Sequence, residues 1–506
     1  MNNFSAQLSF IRTMIGKKGF LLSVLVTVLG FSLLFNSSCR KEQFGNGSIS
    51  FSKDTLTFDT VFTSLGSTTR YFKVFNTDKK AVKIQNIQLM HLVGTQFRIN
   101  VDGVNGDHFT DVEIPAKDSI YVFVEVTVNP TSNTTPFVII DDVSFLINGN
   151  SKTVHLQAFG QNAHYHYGEE ILSGQTKTWS NDLPHVILSH DTVPGVLVDC
   201  GATLNIQPGT KVFFADNSAI FVEGTLNAVS HSWNDSIVFQ GVRLESFYID
   251  KPGQWFGIVF LRNADCIPQG QFDHCIVNES SYGIYAGAGL STNFADYQGS
   301  AQRPEVVMRN SIVKNSSNNA VYGFNAKITD ESCLFYTAGD NLVKFGLGGD
   351  YTFINCTLYN TGSRYVEHKN ETLFLSNLLS VNNTNVYLEP LKTNFVNCVV
   401  YGSLQNEVSF NNYHLDTLSY NDFDNTFSYS DIKTKQDTFE MFTTAHTNML
   451  YNQEPLFKNT DEGNFTPVDS GGVTSPLVNA GTSGPGTDIY DHGRNGTTDI
   501  GAVEKQ

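Results

Sequence analysis

Three charged residues stand at the same place in a short repeated pattern, and they are the clearest candidates for chemistry in this chain. Asp273, Arg309 and Glu331 each lie two residues before a small residue, in the sequences Asp-His-Cys, Arg-Asn-Ser and Glu-Ser-Cys. If the copies stack, the three side chains form one column, in which carboxylates could hold Ca²⁺ and a basic group could take a proton. The same column fits a solvated salt ladder. We favour the ladder, because exposed ion pairs usually do nothing chemical.

A second column consists of tyrosines. Tyr336, Tyr359 and Tyr401 each stand three residues after the small residue of a copy. Exposed tyrosines present ring faces on which sugars stack and hydroxyls that hydrogen-bond them. This column predicts glycan binding, although we expect some of the rings to be packed beneath loops.

The elements that position both columns are the copies of the repeat itself. Taking the Cys, Ser or Asn at the fourth position as a marker, the copies follow one another at 36, 22, 23, 21 and 21 residues, and the long step contains an insertion at 286–303. Repeats of this size indicate stacked coils. The six copies are Phe272–Val277, Met308–Val313, Asp330–Phe335, Phe353–Leu358, Phe374–Leu379 and Phe395–Val400.

Stacking explains which positions of the repeat are constant. A column that runs through all copies must be buried or exposed along its whole length, and the first and last positions are apolar in every copy except at Asp330. These two positions are therefore predicted to face inward. The position before the marker is a short polar residue or histidine, of the kind that turns the backbone, and we call it the corner column. Its members are His274, Asn310, Ser332, Asn355, Ser376 and Asn397.

The pattern resembles the right-handed parallel β-helix of the pectin-lyase-like type, and we place this domain at 171–460. Helical repeats are disfavoured, because no sustained helical apolar period is present. The phrases Ile-Gln-Pro-Gly-Thr after Asn205 and Pro-Gly-Gln-Trp-Phe-Gly-Ile after Lys251 resemble the first turns of surface β-helix proteins from Bacteroidetes. The resemblance implies two kinds of enzyme as possible relatives. Lyases of this fold hold Ca²⁺ with acidic residues and take a proton with a basic residue, and its hydrolases use paired carboxylates.

The segment 461–506 resembles the C-terminal end of such surface proteins, with the phrases Ser-Pro-Leu-Val-Asn-Ala-Gly and Asp-Ile-Gly-Ala-Val-Glu. It contains Asp488, Arg494, Asp499 and Glu504, which could form a catalytic group. The open end of a solenoid exposes unpaired strand edges. We therefore favour an ion-paired cap over that end.

The region 47–163 does not show the repeat and has a different sequence pattern. Its short segments are rich in β-formers, largely alternate, and are separated by turn residues, so a small β-sandwich is predicted. The order of its features resembles the immunoglobulin-like modules of the abnormal-spindle and Hydin type, which implies a spacer or adhesive unit. The predicted fold class is all-β: a right-handed parallel β-helix preceded by a small β-sandwich.

Residues 1–39 resemble a bacterial lipoprotein signal peptide. Basic residues precede an apolar run from Phe20 to Phe35, and Asn-Ser-Ser-Cys39 follows. The resemblance implies that Cys39 becomes the lipidated first residue and anchors the protein to the outer membrane, on either of its faces. An uncleaved membrane anchor and an ordinary signal peptide are the alternatives, but the run is shorter than the roughly 20 residues that span a bilayer.

Charge and cysteine content limit the possible partners. The chain has 32 basic and 49 acidic residues, a net charge of -17, which disfavours nucleic acid as a partner. The marker cysteines Cys275, Cys333, Cys356 and Cys398 alternate with Ser and Asn, so we expect them to be buried free thiols. Only Cys333 and Cys356 are predicted to lie on adjacent coils. The pattern does not place Cys200 and Cys266.

Motifs for other chemistries are weak. No Ser/His/Asp order, phosphate-binding loop or dinucleotide fingerprint stands out in the sequence. His164, His166 and Glu169 could share a transition metal, but two histidines that pack at a domain junction are the favoured interpretation. We therefore expect no metal site and no cofactor, with calcium as the one alternative.

Two hypotheses remain for the function. The favoured hypothesis is a cell-envelope lipoprotein whose β-helix binds glycan or serves as a structural or adhesive surface protein. The alternative is a polysaccharide lyase or glycoside hydrolase of the same fold. The sequence leaves open whether the protein is an enzyme, with a preference for a non-catalytic role.

The lipoprotein hypothesis makes a direct prediction about Cys39. Metabolic labelling with a fatty-acid analogue is expected to mark the wild-type protein and to leave the Cys39→Ala variant unlabelled, because a lipid is attached only to that thiol. Equal labelling of the two proteins would contradict the lipoprotein assignment.

Overall fold

The computed structural model describes residues 44–45, 47–92, 96–288, 299, 302–381, 385–412, 422–494 and 496–506. Cys39 and the rest of the predicted signal peptide lie outside this set. Among the described residues, no helix is long and apolar enough to cross a membrane. The chain forms two compact units: one holds the segments up to Phe58, Leu65–Val128 and Val138–Ala158, and the other holds Asp59–Ser64, Asn129–Phe137 and Phe159–Gln506.

The first unit is built on two five-stranded sheets, as predicted for a small β-sandwich. Neighbouring strands such as Arg70–Asn76 and Ser119–Val126 run antiparallel, and their apolar residues alternate between buried and exposed positions. One sheet has the strand order Ile49–Phe51, Arg70–Asn76, Ser119–Val126, Phe97–Val101 and Val104–Gly106. The other has the order Thr55–Phe62, Asn150–Gln161, Phe137–Ile147, Val82–Leu89 and His108–Ile114.

The second unit contains a parallel β-helix, which confirms the predicted fold class. All but the last coils contribute one strand to each of three long sheets, which we call face 1, face 2 and face 3 in the order in which the chain visits them. Face 1 consists of His164–Tyr167, His185–Leu188, Lys211–Phe214, Ile237–Gly241, Cys275–Asn278, Ile312–Ser316, Leu334–Ala338, Thr357–Asn360, Val399–Gly402, Asp431–Ile432 and Leu450–Tyr451.

Faces 2 and 3 complete the coils. Face 2 consists of Glu169–Ile171, Gly195–Val198, Ala219–Val222, Trp255–Leu261, Ser280–Ala288, Asn319–Phe324, Val343–Leu347, Leu373–Ser376 and Val408–Asn411. Face 3 consists of Thr176–Trp179, Thr203–Ile206, Thr225–Val229, Gln269–Asp273, Glu305–Arg309, Lys327–Glu331, Gly349–Ile354, Leu391–Val396, Phe423–Ser428 and Ala445–Thr447.

Short elements lie outside these sheets. They are the antiparallel hairpins Leu378–Val381 with Asn385–Leu388 and Phe457–Asn459 with Asn464–Pro467, the 3₁₀ turns Trp233–Asp235 and Thr460–Glu462, and the helix Gln436–Phe442. The helix inserts the buried Phe439 against Phe410 and Phe427 of the last coils, so its apolar side covers this end of the core.

The predicted register is confirmed for five of the six copies. The inward column of face 1 pairs residue by residue, and so does that of face 3, and all their members are buried. Five corner residues have left-handed backbone, which short polar residues tolerate better than most. They are His274, Asn310, Ser332, Asn355 and Asn397, with φ between 44° and 55°.

The copy at Phe374–Leu379 was assigned wrongly. Leu373–Ser376 belongs to face 2, where Leu373 and Leu375 point inward and Phe374 points outward. The coil that follows Cys356 is therefore twice as long as predicted and contains the hairpin Leu378–Val381 with Asn385–Leu388. Leu358 lies between Phe335 and Val400, and not beside Leu379. Asn377 stands halfway between Cys356 and Cys398, so the sequence around it matched the repeat at the expected spacing.

We predicted that the C-terminal segment caps the open end of the solenoid, but its described hydrogen bonds lie elsewhere. It runs along the corner column on the flank of the solenoid. Asn355 donates to the carbonyls of Asp499 and Gly501, and Asn397 donates to that of Thr482. Ser332 donates to the Thr487 carbonyl, and His274 pairs with Asp491. The polar corner thus holds the segment in place.

The cysteines divide as the repeat predicted. The residues at the marker position are buried free thiols: Cys275, Cys333, Cys356 and Cys398. Cys356 has a neighbour on each side, because Cys398 lies on the next coil in addition to the predicted Cys333 on the preceding one. Cys200 and Cys266, which the pattern could not place, form a disulfide with their Cα atoms 5.9 Å apart.

The register leads to a prediction for Leu358. Leu358→Asp places a carboxylate between Phe335 and Val400 with no partner, and is expected to cost about 3 kcal/mol or more of unfolding free energy. Leu172→Asp, at a position that is 49% exposed, is the matched control and should change it little. Denaturant unfolding measures both variants, and a Leu358→Asp curve that overlays the wild type would contradict the register.

Asp330 leads to a second prediction. It lies fully buried between Met308 and Phe353, neither carboxyl oxygen has a hydrogen-bond partner among the described residues, and burial raises its pKa well above the ordinary value. The unfolded chain releases this proton above pH 4 or so while the folded chain keeps it, so ionisation makes wild-type stability fall as pH rises.

Asp330→Leu removes this penalty. The variant should be more stable than the wild type by about 1 to 3 kcal/mol, with a difference that grows from pH 4 to pH 8 in denaturant unfolding. A difference that shrinks over that range would show that Asp330 is not held neutral in the fold.

Candidate functional site

A cleft of about 440 Å³ lies on the outward side of face 1. Its floor is formed by Lys314, Tyr336 and Tyr359, and its walls by Asp250, the loop 361–365 and the turn 460–463. Three parts of the chain that are far apart in sequence therefore meet at one surface. A volume of this size suits a small ligand or a few sugar units.

The floor is a direct product of the register. Lys314 pairs with Tyr336, Tyr336 with Tyr359, and Tyr359 with Tyr401 on successive strands of face 1. Neighbouring strands lie about 4.8 Å apart, so these outward side chains form a regular row. Lys314 is in the same repeat position as the tyrosines, and this was the sequence signal that could have found it.

Lys314 is a partly buried cation with a fixed partner. Its Nζ lies 3.0 Å from Oδ1 of Asp250, which also accepts a 2.8 Å hydrogen bond from Asn315. Burial lowers the pKa of Lys314, but Tyr336 and Asp250 outweigh it, so that the pKa is raised. Lys314 therefore stays protonated near neutral pH. It can donate hydrogen bonds, but it is poorly suited to accept a proton from a substrate.

The two tyrosines are fixed by the C-terminal hairpin. Their ring centroids lie 5.1 Å (Tyr336) and 5.4 Å (Tyr359) from that of the buried Phe465. Burial raises the pKa of both phenols, with Lys314 opposing it at Tyr336. Their hydroxyls therefore remain neutral donors and acceptors. Gly463 leaves the room for Tyr336, because a Cβ there would stand 2.7 Å from its hydroxyl oxygen.

The rim of the cleft carries mixed charge. The guanidinium of Arg364 lies 4.6 Å from the ring centroid of Tyr365, whose hydroxyl donates to the Phe247 carbonyl. Asp461 and Glu462, in the turn 460–463, are exposed and also line the cleft. Two cations, Lys314 and Arg364, thus face three carboxylates in and around the cleft, including Asp250. This balance disfavours strongly anionic ligands.

The predicted charged column is a salt ladder. Asp273, Arg309 and Glu331 pair in register on face 3, as expected. Arg309 Nε lies 2.8 Å from Glu331, and Asp273 is bonded to His274 and Asn310. Both carboxylates are occupied by protein partners, and among the described residues no third carboxylate converges on them.

The predicted glycan-binding tyrosines separate into two groups. Tyr336 and Tyr359 line the cleft, whereas Tyr401 is only 5% exposed and lies outside it. Tyr401 packs among Val399, Leu477 and Ile500, and its hydroxyl donates to Glu454. The C-terminal segment covers this end of the row.

The four charged residues near the C-terminus hold that segment together. Arg494 pairs with Glu504 at 2.9 Å and donates to the carbonyls of Asp499, Gly501 and Ala502. Asp488 and Asp499 accept hydrogen bonds from backbone N–H groups. All four side chains are buried, and their hydrogen bonds stabilise the fold of this segment. None of the four presents a reactive group to solvent.

His164 and His166, on the first strand of face 1, contact different partners. His164 contacts Asp182, while His166 contacts Glu169 and His185. Within the described ranges, no group of three or more His, Cys, Asp or Glu residues is placed to hold a metal ion.

Comparisons with known proteins add little. No protein-family model and no curated protein matches the chain. A family 123 glycoside hydrolase from Clostridium perfringens, studied for glycolipid glycan hydrolysis, aligns with a TM-score of 0.17 and 9% identity over 26% of this chain and 30% of its own. A protein of unknown function from Porphyromonas gingivalis W83 aligns with a TM-score of 0.18 and 10% identity over 24% of this chain and 59% of its own. Similarity of this extent supports no argument about fold or function.

Proposed function

We propose that this protein is a carbohydrate-binding lipoprotein of the bacterial cell envelope, and that the cleft on face 1 is its glycan-binding site. The observation that carries the proposal is the row of Lys314, Tyr336 and Tyr359, held rigid beside Asp250. Sugars are bound by aromatic rings together with a few fixed polar groups that hydrogen-bond their hydroxyls. The cleft supplies both kinds of group on a rigid scaffold.

The charges favour a neutral glycan. Lys314 is neutralised by Asp250, and the walls add one cation and two carboxylates. A polyuronate or sulfated chain would meet net repulsion here, in addition to that from the chain's net charge of -17. A neutral oligosaccharide meets only hydrogen-bond donors, acceptors and ring surfaces.

Binding without turnover is the function that the cleft supports best. A lyase needs a base that is unprotonated near neutral pH, and the raised pKa of Lys314 makes it a donor instead. The salt ladder offers no free base, since Arg309 is paired with Glu331. Cleavage of a bound glycan is the alternative that the experiment below distinguishes.

The cell-envelope location has independent support. The Cys200–Cys266 disulfide is of the kind that persists in oxidising compartments such as the periplasm or the cell surface. Lipid attachment at Cys39, in a residue range outside the described structure, would anchor the protein to the outer membrane. This location would place the cleft where extracellular or periplasmic glycans are available.

A glycan array followed by calorimetry tests the binding site. Lys314→Met and Arg364→Ala are expected to weaken the neutral glycan that binds best by about 10- to 100-fold, because each removes a charged hydrogen-bond donor. Arg309→Ala is the matched control on the salt ladder: it should leave binding unchanged and cost about 1 kcal/mol or less of stability.

Two results would overturn the proposal. One is that the array shows only anionic glycans or none, and the other is that the two cleft variants bind as the wild type does. The bound glycan is also incubated with the protein, and new reducing ends or unsaturated products would favour the enzyme alternative.

A further inference from the structure

A serine, a histidine and a glutamate meet on the coil beyond the cleft. His368 lies in the loop between Asn360 and the face 2 strand Leu373–Ser376, Ser403 directly follows a strand of face 1, and Glu407 directly precedes the next strand of face 2. The hydroxyl oxygen of Ser403 lies 2.8 Å from Nδ1 of His368. Nε2 of the same ring lies 3.3 Å from Oε2 of Glu407.

Glu407 is held as an acceptor. Its side chain is fully buried, and it receives hydrogen bonds from the backbone N–H of Leu404 at 2.7 Å, from that of Thr372 at 3.2 Å and from the Thr372 hydroxyl at 2.8 Å. An ionised carboxylate can only accept hydrogen bonds, and three donors that converge on Glu407 suit that form. The carboxylate therefore lies fixed beside the imidazole, at an oblique angle to it.

The contact between Nε2 and Glu407 lacks the alignment of a hydrogen bond, so Glu407 acts on the ring through its charge. That charge favours the neutral tautomer with its proton on Nε2, which leaves the lone pair of Nδ1 facing the Ser403 hydroxyl. The His368 side chain is 1% exposed, whereas Ser403 is exposed. A buried base thus points at a hydroxyl that solvent and ligands can reach, with an acid behind it, which is the geometry of an activated nucleophile.

We propose that Ser403 is a nucleophile, with His368 as its general base and Glu407 as the carboxylate whose charge stabilises the protonated His368, and that this group accepts acyl groups from esters. The Ser403 oxygen forms a bond to the ester carbonyl carbon while its proton passes to Nδ1 of His368. The carbon–oxygen bond to the leaving group then breaks, and the alcohol takes that proton. Water hydrolyses the acyl-serine by the same path, releasing the acid and restoring the serine.

The backbone around Ser403 limits which esters react. The N–H of Ser403 donates to the Asn360 carbonyl, and that of Leu404 donates to Glu407. These two groups are therefore not available to stabilise a developing oxyanion, a term that is often the largest in acyl transfer. We infer a preference for esters with good leaving groups. The proposal is independent of glycan binding, because Ser403, His368 and Glu407 do not line the cleft.

A fluorophosphonate probe and p-nitrophenyl acetate test the proposal on the folded protein. The probe should form one adduct on the peptide that contains Ser403, and p-nitrophenol release should fall by about 100-fold or more in Ser403→Ala. Ser403 is exposed, so this variant should melt as the wild type does. The control is Ser409→Ala, because Ser409 donates to a carboxylate, Glu371, without a histidine.

The outcomes are distinct. Adduct and ester hydrolysis that persist in Ser409→Ala and disappear in Ser403→Ala support the proposal. It is overturned if the folded wild type gives no adduct at Ser403. It is also overturned if heat-unfolded protein is labelled there to the same extent, because activation would then not depend on His368 and Glu407.

Discussion

In-register hydrogen bonding between successive coils is the constraint on which the rest of this structure depends. Because each strand pairs with the same position one coil away, every side chain stands above its equivalent, and a choice of residue type is repeated along the axis. The turn between face 3 and face 1 adopts the same left-handed backbone in the coils from His274 onward. Asn310, Asn355 and Asn397 adopt this backbone, and their side-chain amides donate hydrogen bonds to groups outside the turn.

The corner column and the outward row on face 1 determine where a ligand can bind. Asn355 and Asn397 fix the C-terminal segment along the flank, and that segment inserts Phe465 against Tyr336 and Tyr359. The cleft therefore exists only because the chain returns from the end of the solenoid to its side. The C-terminal segment thus forms a wall of the candidate site.

Sequence periodicity predicted the features that recur in every stacked coil. It did not predict the contacts that occur only once in the chain. The inward columns, the corner and the free thiols followed from the repeat. The copy predicted at Phe374 is wrong, because the hairpin in this coil lengthens it to about two repeat lengths. The partners Asp250 and Arg364, the disulfide of Cys200 with Cys266, and the group around His368 depend on loops, whose paths are set by contacts between distant parts of the chain. Asp330 was visible as an exception but carried no sign of its neutral state.

The central claim is that segments distant in sequence form one glycan site on face 1. Hydrogen–deuterium exchange with the best neutral glycan from an array tests it most directly. The account predicts slower exchange in three separate regions, around Lys314, across 359–365 and across 460–465, with the rest of the solenoid unchanged. Protection confined to the sandwich, to face 2 or to the charged ladder of face 3 would contradict it.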